Sequence, residues 1–328
     1  MREPPAIAQD RLAACLVRSF DIQPVSIEYL ALGHDYFAGV YRVLDGEGSA
    51  YLVKVKSRVL YEPSCRVPYH LYHQGISSVV APIPTLQNEL WTRLDDWIVI
   101  VYPFIQGDTS LIGMTDAQWE KVGAAFKQIH TIALPPDIYR SLKTETFDPT
   151  AYIRWVNDFE THHLGSSRVE GSAERALYAA WDTHASKIHT GLTMLQELGA
   201  QLKSRSLPYV LCHADLHAAN VLRDSLGNVF IIDWDEVMSA PKERDFIFLN
   251  HQADAFWQGY GSRDPDSTAL TYYLWERVIQ DVIEYAAHIC SSNDLSQETK
   301  MNLVRRFESA FRADGLLARI PSGLQEQK

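Results

Sequence analysis

Apolar positions cluster in short runs over the first hundred residues and recur at helical spacing over most of the rest. Residues 25–32, 36–44 and 50–56 are rich in Val, Tyr and Leu. The turn signals Gly-His-Asp and Asp-Gly-Glu-Gly separate them, which predicts an antiparallel meander. Residues 78–86 and 97–104 add two strands, for about five in all. Between them, 61–74 reads as a helix with Pro63 in its first turn. Pro68, five residues later, predicts a kink or a late start, because an internal proline removes a backbone donor.

Beyond residue 106 the period changes. Thr115 and Gln118 form a capping box ahead of Trp119, Val122, Phe126 and Ile129, an apolar stripe at helical spacing. A long helical pattern covers 171–202 and stops at Ser206-Leu-Pro208. The apolar stretches 209–212 and 229–232 are short and β-like, and helices return at 270–289 and 297–311. No internal repeat is visible. The expected class is α+β, with a small antiparallel-sheet lobe over 1–106 and a large helical lobe over 107–328.

Length and composition narrow the picture. A chain of 328 residues with 46% hydrophobic residues suits two domains or one two-lobed unit, and excludes disorder, collagen and coiled coil. The formal charge is −11, without a Lys/Arg cluster, which argues against partners such as nucleic acid or an anionic membrane. The charge is uneven: residues 1–106 hold 9 basic and 11 acidic side chains, the remainder 21 and 30. Four scattered cysteines predict neither a zinc framework nor a secreted disulfide scaffold, and a cytoplasmic setting is expected. Neither an export signal nor a membrane span is predicted. The oligomeric state is left open.

The densest polar cluster is His213-Ala-Asp-Leu-His-Ala-Ala-Asn220, followed by Ile231-Ile-Asp-Trp-Asp-Glu236. Apolar β-like segments precede both, so a hydrophobic interior would deliver Asp215, Asn220 and Asp233 to one edge. Phosphoryl transfer needs these residue types: a carboxylate to accept the proton of the attacking hydroxyl, and hard oxygens to hold Mg²⁺. Singly, Asp215 reads as a helix cap and Asp233 as a turn residue; the spacing with Asn220 favours chemistry. His213 reads as structural, bonding the loop backbone. His213 and His217 with two carboxylates also make a transition-metal donor set, although that histidine spacing suits metal only on a helix. Cys212 reads as a small buried hydrophobe.

The H-x-D-x-H-x-x-N form resembles the aminoglycoside phosphotransferase family, which has a bilobal protein-kinase-like fold. The run 231–236, with Pro241-Lys-Glu-Arg-Asp245, Tyr102-Pro-Phe-Ile105 and Glu276, Arg277 and Asp281, resembles its spectinomycin-phosphorylating subgroup. The resemblance implies Asp215 as the catalytic base, Asn220 and Asp233 on Mg²⁺, and ATP as donor. Lys54 and Lys56 share a strand face; the resemblance assigns Lys54 to the nucleotide phosphates with Glu62 as its partner. The segment 33–39 would cover the phosphates without a G-x-G-x-x-G pattern. In the linker, the Pro103 carbonyl and the Ile105 N–H would pair with adenine.

For the acceptor, Asp235, Glu236, Asp281 and Glu284 would bind the amines of a cationic aminocyclitol, with Tyr272, Trp275 and Tyr285 adding flat contact. The bland alternative gives Asp281 and Glu284 to Arg277 or Arg244 and the aromatics to the core, and reads Arg244-Asp245 as a structural pair. The expected activity is ATP-dependent phosphorylation of a hydroxyl of an aminocyclitol antibiotic such as spectinomycin, conferring resistance. Two rivals stand beside it: a kinase of the same fold acting on choline, homoserine or a sugar, and a nucleotide-binding pseudoenzyme.

Overall fold

Strand Trp97–Pro103 is apolar at nearly every position because both of its faces are covered. In the computed structural model, which describes residues 5, 7–31, 38–57, 59–109, 113–164, 171–249, 253–291, 295–312 and 315–320, the strands are β1 Pro24–Leu30, β2 Ala38–Asp45, β3 Ala50–Lys56, β4 Thr92–Leu94, β5 Trp97–Pro103, β6 Gly107–Asp108, β7 Lys143–Thr144, β8 Val210–Cys212, β9 Val221–Asp224, β10 Val229–Ile231 and β11 Met238–Ala240. The α-helices are α1 Gln9–Phe20, α2 Pro63–His73, α3 Asp116–Thr131, α4 Pro136–Ser141, α5 Thr150–Phe159, α6 Ser172–Lys203, α7 Ala253–Tyr260, α8 Ser267–Ser291 and α9 Gln297–Ser309. None of the described helices is long and apolar enough to cross a membrane.

The chain divides into two compact units, each assembled from separate stretches: Met1–Lys143 with Val210–Ser239 and Leu249–Arg263, and Thr144–Tyr209 with Ala240–Phe248 and Asp264–Lys328. In the first, five strands form an antiparallel sheet in the order β1-β2-β3-β5-β4. The expected α+β class holds. One strand differs from expectation: residues 78–86 are not in the sheet, and Thr92–Leu94 forms its edge strand beside β5. Pro82 and Pro84 explain this, since neither can donate to a ladder.

Helix α1, which the sequence reading does not anticipate, covers one sheet face. Its Leu12, Leu16 and Phe20, spaced by four, bury against Val53, Val55, Val99 and Val101. Period-two alternation then fixes the other face: Ile98 and Ile100 pack with Cys65 of α2. Lys54 stands opposite Ile100 and Lys56 opposite Ile98 in the β3–β5 register, so both lysines project onto this second face. Helix α2 starts at Pro63 and carries the buried Pro68 inside it.

The rest of the unit holds the chemical segment. Helix α3 begins with the expected capping box, and α7 lies against it so closely that a Cβ on Gly123 would come within 2.0 Å of the Phe256 carbonyl oxygen. The β9–β10 hairpin pairs Val221 with Ile231, and β6 adds to β9.

In the second unit, α6, α8 and α9 enclose one apolar core, with Trp181, Tyr272, Tyr273 and Phe307 essentially inaccessible. Trp275 is in the same core, which removes Tyr272 and Trp275 from the expected acceptor contacts. Inside this unit the guanidinium of Arg244 lies between two buried carboxylates, bonding Glu276 and lying 3.6 Å from Glu145, with its Cζ 5.2 Å from the Tyr273 ring centroid.

Candidate active site

The site forms on the first unit, where two turns hold their aspartates through the same histidine. His213 is fully buried. Its Nδ1 accepts from the Asp215 backbone N–H at 3.3 Å, so the ring proton sits on Nε2, which donates to the Ile232 carbonyl at 2.9 Å. That single imidazole ties the segment at 213–220 to the strand end that carries Asp233. A second tie is backbone: the Ile232 N–H donates to the Asn220 carbonyl at 3.0 Å. The Trp234 ring stands edge-on against His213, 4.7 Å between centroids.

Ala214 and Asp233 both adopt left-handed backbone, with φ of 69° and 64°. For an L-residue with a Cβ this costs on the order of 1 kcal/mol each. The surrounding bonds hold both turns in place, and they lie beside the two aspartates singled out for chemistry.

Asn220 ends a short 3₁₀ turn and is buried. Its Nδ2 donates to the Asp215 carbonyl at 2.8 Å and to the Asp215 carboxylate at 3.3 Å. The amide orientation is thereby set, and Oδ1 is left with no hydrogen bond among the described residues. His217 Nε2 lies 3.4 Å from the Asp215 carboxylate, and its Nδ1 accepts from the Ala219 N–H. The histidines thus serve the loop, and the transition-metal alternative finds no support in this geometry.

Across from this loop stands a four-charge cluster. Lys54 Nζ lies 2.9 Å from Asp233 Oδ1 and 2.6 Å from Asp235 Oδ2. Lys56 Nζ lies 2.6 Å from the same Asp235 oxygen. Burial by itself would lower the Lys54 pKa, but the charges of Asp233 and Asp235 override it and hold the ammonium well above its usual range. For Asp235, burial acts to raise the pKa, and Lys54 and Lys56 drive it far below the usual carboxylate range. The Tyr102 phenol reaches the same place, hydrogen-bonding Cys65, and burial pushes its pKa up.

Glu62 is not part of this cluster. It is exposed at the start of α2 and makes no ion pair among the described residues. Asp235, expected on the acceptor, instead takes both lysines. Sequence reasoning also missed Tyr61, whose hydroxyl donates to the Val237 carbonyl and accepts from the Lys143 N–H, at 2.9 and 2.8 Å. Lys143 lies over the Tyr61 ring and 3.4 Å from exposed Glu236.

The remaining expected residues fall as follows. Pro103 ends β5 and is exposed, while the Ile105 N–H bonds no backbone acceptor among the described residues. Asp281 pairs with Arg277 along α8 at 2.9 Å, and Glu284 lies 3.7 Å from His288. Most of the expected phosphate-covering segment, residues 33–37, lies outside the described residues.

Hard oxygens suited to a divalent cation are present: Asn220 Oδ1, which accepts no hydrogen bond among the described residues, and the exposed carboxylate of Asp233, whose Oδ1 alone is engaged. With a carboxylate base, an oxygen pair for a metal and two cations, the arrangement can support transfer of an anionic group to a hydroxyl.

Comparison with known proteins agrees with this chemistry. The phosphotransferase enzyme family matches residues 28–273. Spectinomycin phosphotransferase APH(9)-Ia, solved with ADP and spectinomycin, is 27% identical, with 98% of this chain and 100% of that chain covered and a TM-score of 0.85. Its AMP-bound complex gives 27% identity, coverage of 94% and 100%, and a TM-score of 0.76. Choline kinase LicA from Streptococcus pneumoniae, at 14% identity, coverage of 92% and 99% and a TM-score of 0.51, is alike in fold alone. No curated protein sequence matches the chain. The chain has the kinase-like fold of these structures and belongs to the phosphotransferase enzyme family.

Proposed function

We propose that the protein is an ATP-dependent O-phosphotransferase whose acceptor is a cationic aminocyclitol, spectinomycin first among them, and that its role is resistance in the cytoplasm. The observation that carries the reading is the junction of Asp215, Asn220, Asp233 and Lys54 on one unit, with Asn220 bonded to Asp215 and Lys54 to Asp233. The 27% likeness along nearly the whole chain to an enzyme solved with ADP and spectinomycin supports the choice of substrates.

In this reading residues 1–106 hold the nucleotide, with Pro103 and Ile105 on the base, and residues 107–328 supply the catalytic loop and bind the acceptor. Asp215, aimed by the Asn220 amide, accepts the proton of the acceptor hydroxyl. As that proton leaves, the hydroxyl oxygen forms a bond to the γ-phosphorus and the bond to the ADP oxygen breaks. Lys54 offsets charge on the phosphates. Asn220 Oδ1 and the Asp233 carboxylate would hold Mg²⁺, which when bound neutralises phosphate charge. Most of the catalysis is positioning and charge stabilisation.

A metabolite kinase is the second reading. One observation favours it: Asp281 is ion-paired with Arg277 and Glu284 faces His288, so neither stands ready for a drug amine. Exposed Glu236 is then the first carboxylate to test. ADP release by the purified protein, measured with Mg·ATP against spectinomycin, several aminoglycosides, choline, homoserine and sugars, separates the two. Turnover with spectinomycin supports the proposal. Turnover with choline, homoserine or a sugar and none with any aminocyclitol overturns it.

A further inference from the structure

We propose that Asp235, and not a helix glutamate, is the carboxylate that positions the β3 lysine, and that Lys56 is a second cation for the nucleotide phosphates. The inference rests on the phosphotransferase reading of the site and names two residues that reading leaves without a part.

The face that Lys54 and Lys56 share is apolar. Their cross-strand neighbours are Ile100 and Ile98, and Cys65 closes the cluster. Only 14% of each lysine side chain is exposed. An ammonium on such a face needs a counter-charge, because desolvation without one is costly. For Lys56 that counter-charge is Asp235, and for Lys54 it is Asp235 with Asp233. Both lysines converge at 2.6 Å on one oxygen, Asp235 Oδ2, which fixes where both ammonium groups sit.

The charge count then explains why two lysines are present. Two ammonium groups face two carboxylates, and the cluster is neutral as it stands. Were Asp233 to hold a divalent cation, Lys54, Lys56 and Asp235 would be left with one net positive charge. Lys54 with Asp235 alone would be neutral and would attract phosphate weakly. Lys56 therefore supplies the charge that Lys54 can present to the nucleotide, and Asp235 holds both at the required place without cancelling them.

The test uses the full chain. Binding of Mg·ADP and Mg·AMP-PNP is measured by calorimetry, which needs no acceptor, and kcat and KM for ATP follow wherever turnover is found. Lys56→Met is expected to weaken nucleotide binding about tenfold, and Lys56→Arg to recover most of it, a rescue that a merely structural role would not show. Asp235→Asn is expected to lower kcat at least tenfold with a smaller change in binding, and Asp235→Glu to recover part of that loss. Should Asp235→Asn fail to fold, the Lys56 pair carries the test. Unchanged binding in Lys56→Met overturns the proposal, as does a tenfold loss in Glu62→Gln with none in the Asp235 variants. A wild-type protein that binds no nucleotide would overturn the phosphotransferase reading itself, an outcome distinct from wild-type binding with a silent Lys56.

Discussion

The side-chain amide of Asn220 donates to both the backbone carbonyl and the carboxylate of Asp215, at 2.8 and 3.3 Å. One residue thereby holds the Asp215 carboxylate in place and leaves its own Oδ1 without a hydrogen bond among the described residues. The pair works as a unit only if the donor and the carboxylate are both present.

Asp215→Asn keeps the shape of the side chain and removes the proton acceptor. Turnover is expected to fall by roughly 10²–10⁴-fold, the usual contribution of general base catalysis, while Mg·ADP binding stays within about twofold of wild type. Asn220→Asp is expected to fail differently: it loses the donor and places a second negative charge beside Asp215, so that kcat falls and the demand for divalent cation changes. Parallel turnover assays and binding titrations across Mg²⁺ concentration check both. Turnover retained in Asp215→Asn would remove Asp215 from the mechanism.

How far the sequence carries depends on the range of the interaction. Runs and periods are local, so β3, the Thr115 capping box, α6 and α8 are legible from a few residues each. The segment 78–86 misleads because its Val and Ile outvote Pro82 and Pro84 in a composition count, whereas in a ladder one missing donor decides. The closeness of the segments carrying Asp215, Asn220 and Asp233 is legible because they flank one short hairpin, β9–β10. The partner of Lys54 is not, since Asp235 lies 181 residues away and Glu62 only eight. The family resemblance points to Glu62, whereas Lys54 pairs with Asp235 and Asp233. The α8 aromatics mislead for a related reason, since nothing in the chain says which side of a mostly apolar helix is covered, and Tyr272 and Trp275 are enclosed on theirs.

Helices α3 and α7 approach through glycine on both sides. A Cβ on Gly123 would meet the Phe256 carbonyl at 2.0 Å, and one on Gly259 the Glu120 carbonyl at 1.9 Å. Both obstacles are helix backbone, which cannot step aside as a flexible side chain can. Gly123→Ala should therefore destabilise by about 1–3 kcal/mol, the range for overpacking, despite alanine's better helix propensity. Equilibrium urea unfolding would show the midpoint falling. A midpoint at or above wild type would mean that the two helices separate at little cost.

Among the described residues, Arg244 is the cation that pairs with two buried carboxylates, Glu145 and Glu276. Burial, with the Glu276 charge, already raises the Glu145 pKa. Arg244→Met removes the cation and leaves both carboxylates in a low-dielectric setting, at an expected cost of about 3–5 kcal/mol. Adding Glu276→Gln to Arg244→Met should recover part of that loss, because the stranded charge goes with it. A double-mutant cycle on unfolding free energies measures the coupling, and additive losses would mean that the pair is not energetically linked.

Cys65 provides a test of burial at the lysine face. It is fully enclosed, and burial pushes its thiol pKa from 9.0 up to about 11, with a hydrogen bond from Ser64 opposing in part. Because the folded value lies above the unfolded one, the protein favours the protonated thiol. The associated stability is complete below about pH 9 and is lost as pH rises toward 11, by on the order of 2–3 kcal/mol. Other groups titrate in the same window, so the comparison is with Cys65→Ala, which removes the thiol and little volume. The stability advantage of wild type over Cys65→Ala should shrink between pH 8 and pH 11, and native Cys65 should resist alkylation at pH 8 until the protein is unfolded. A pH-independent difference, or rapid alkylation of the native thiol, would mean that the face beneath Lys54 and Lys56 is open to water and that the lysines do not depend on Asp235 for their charge.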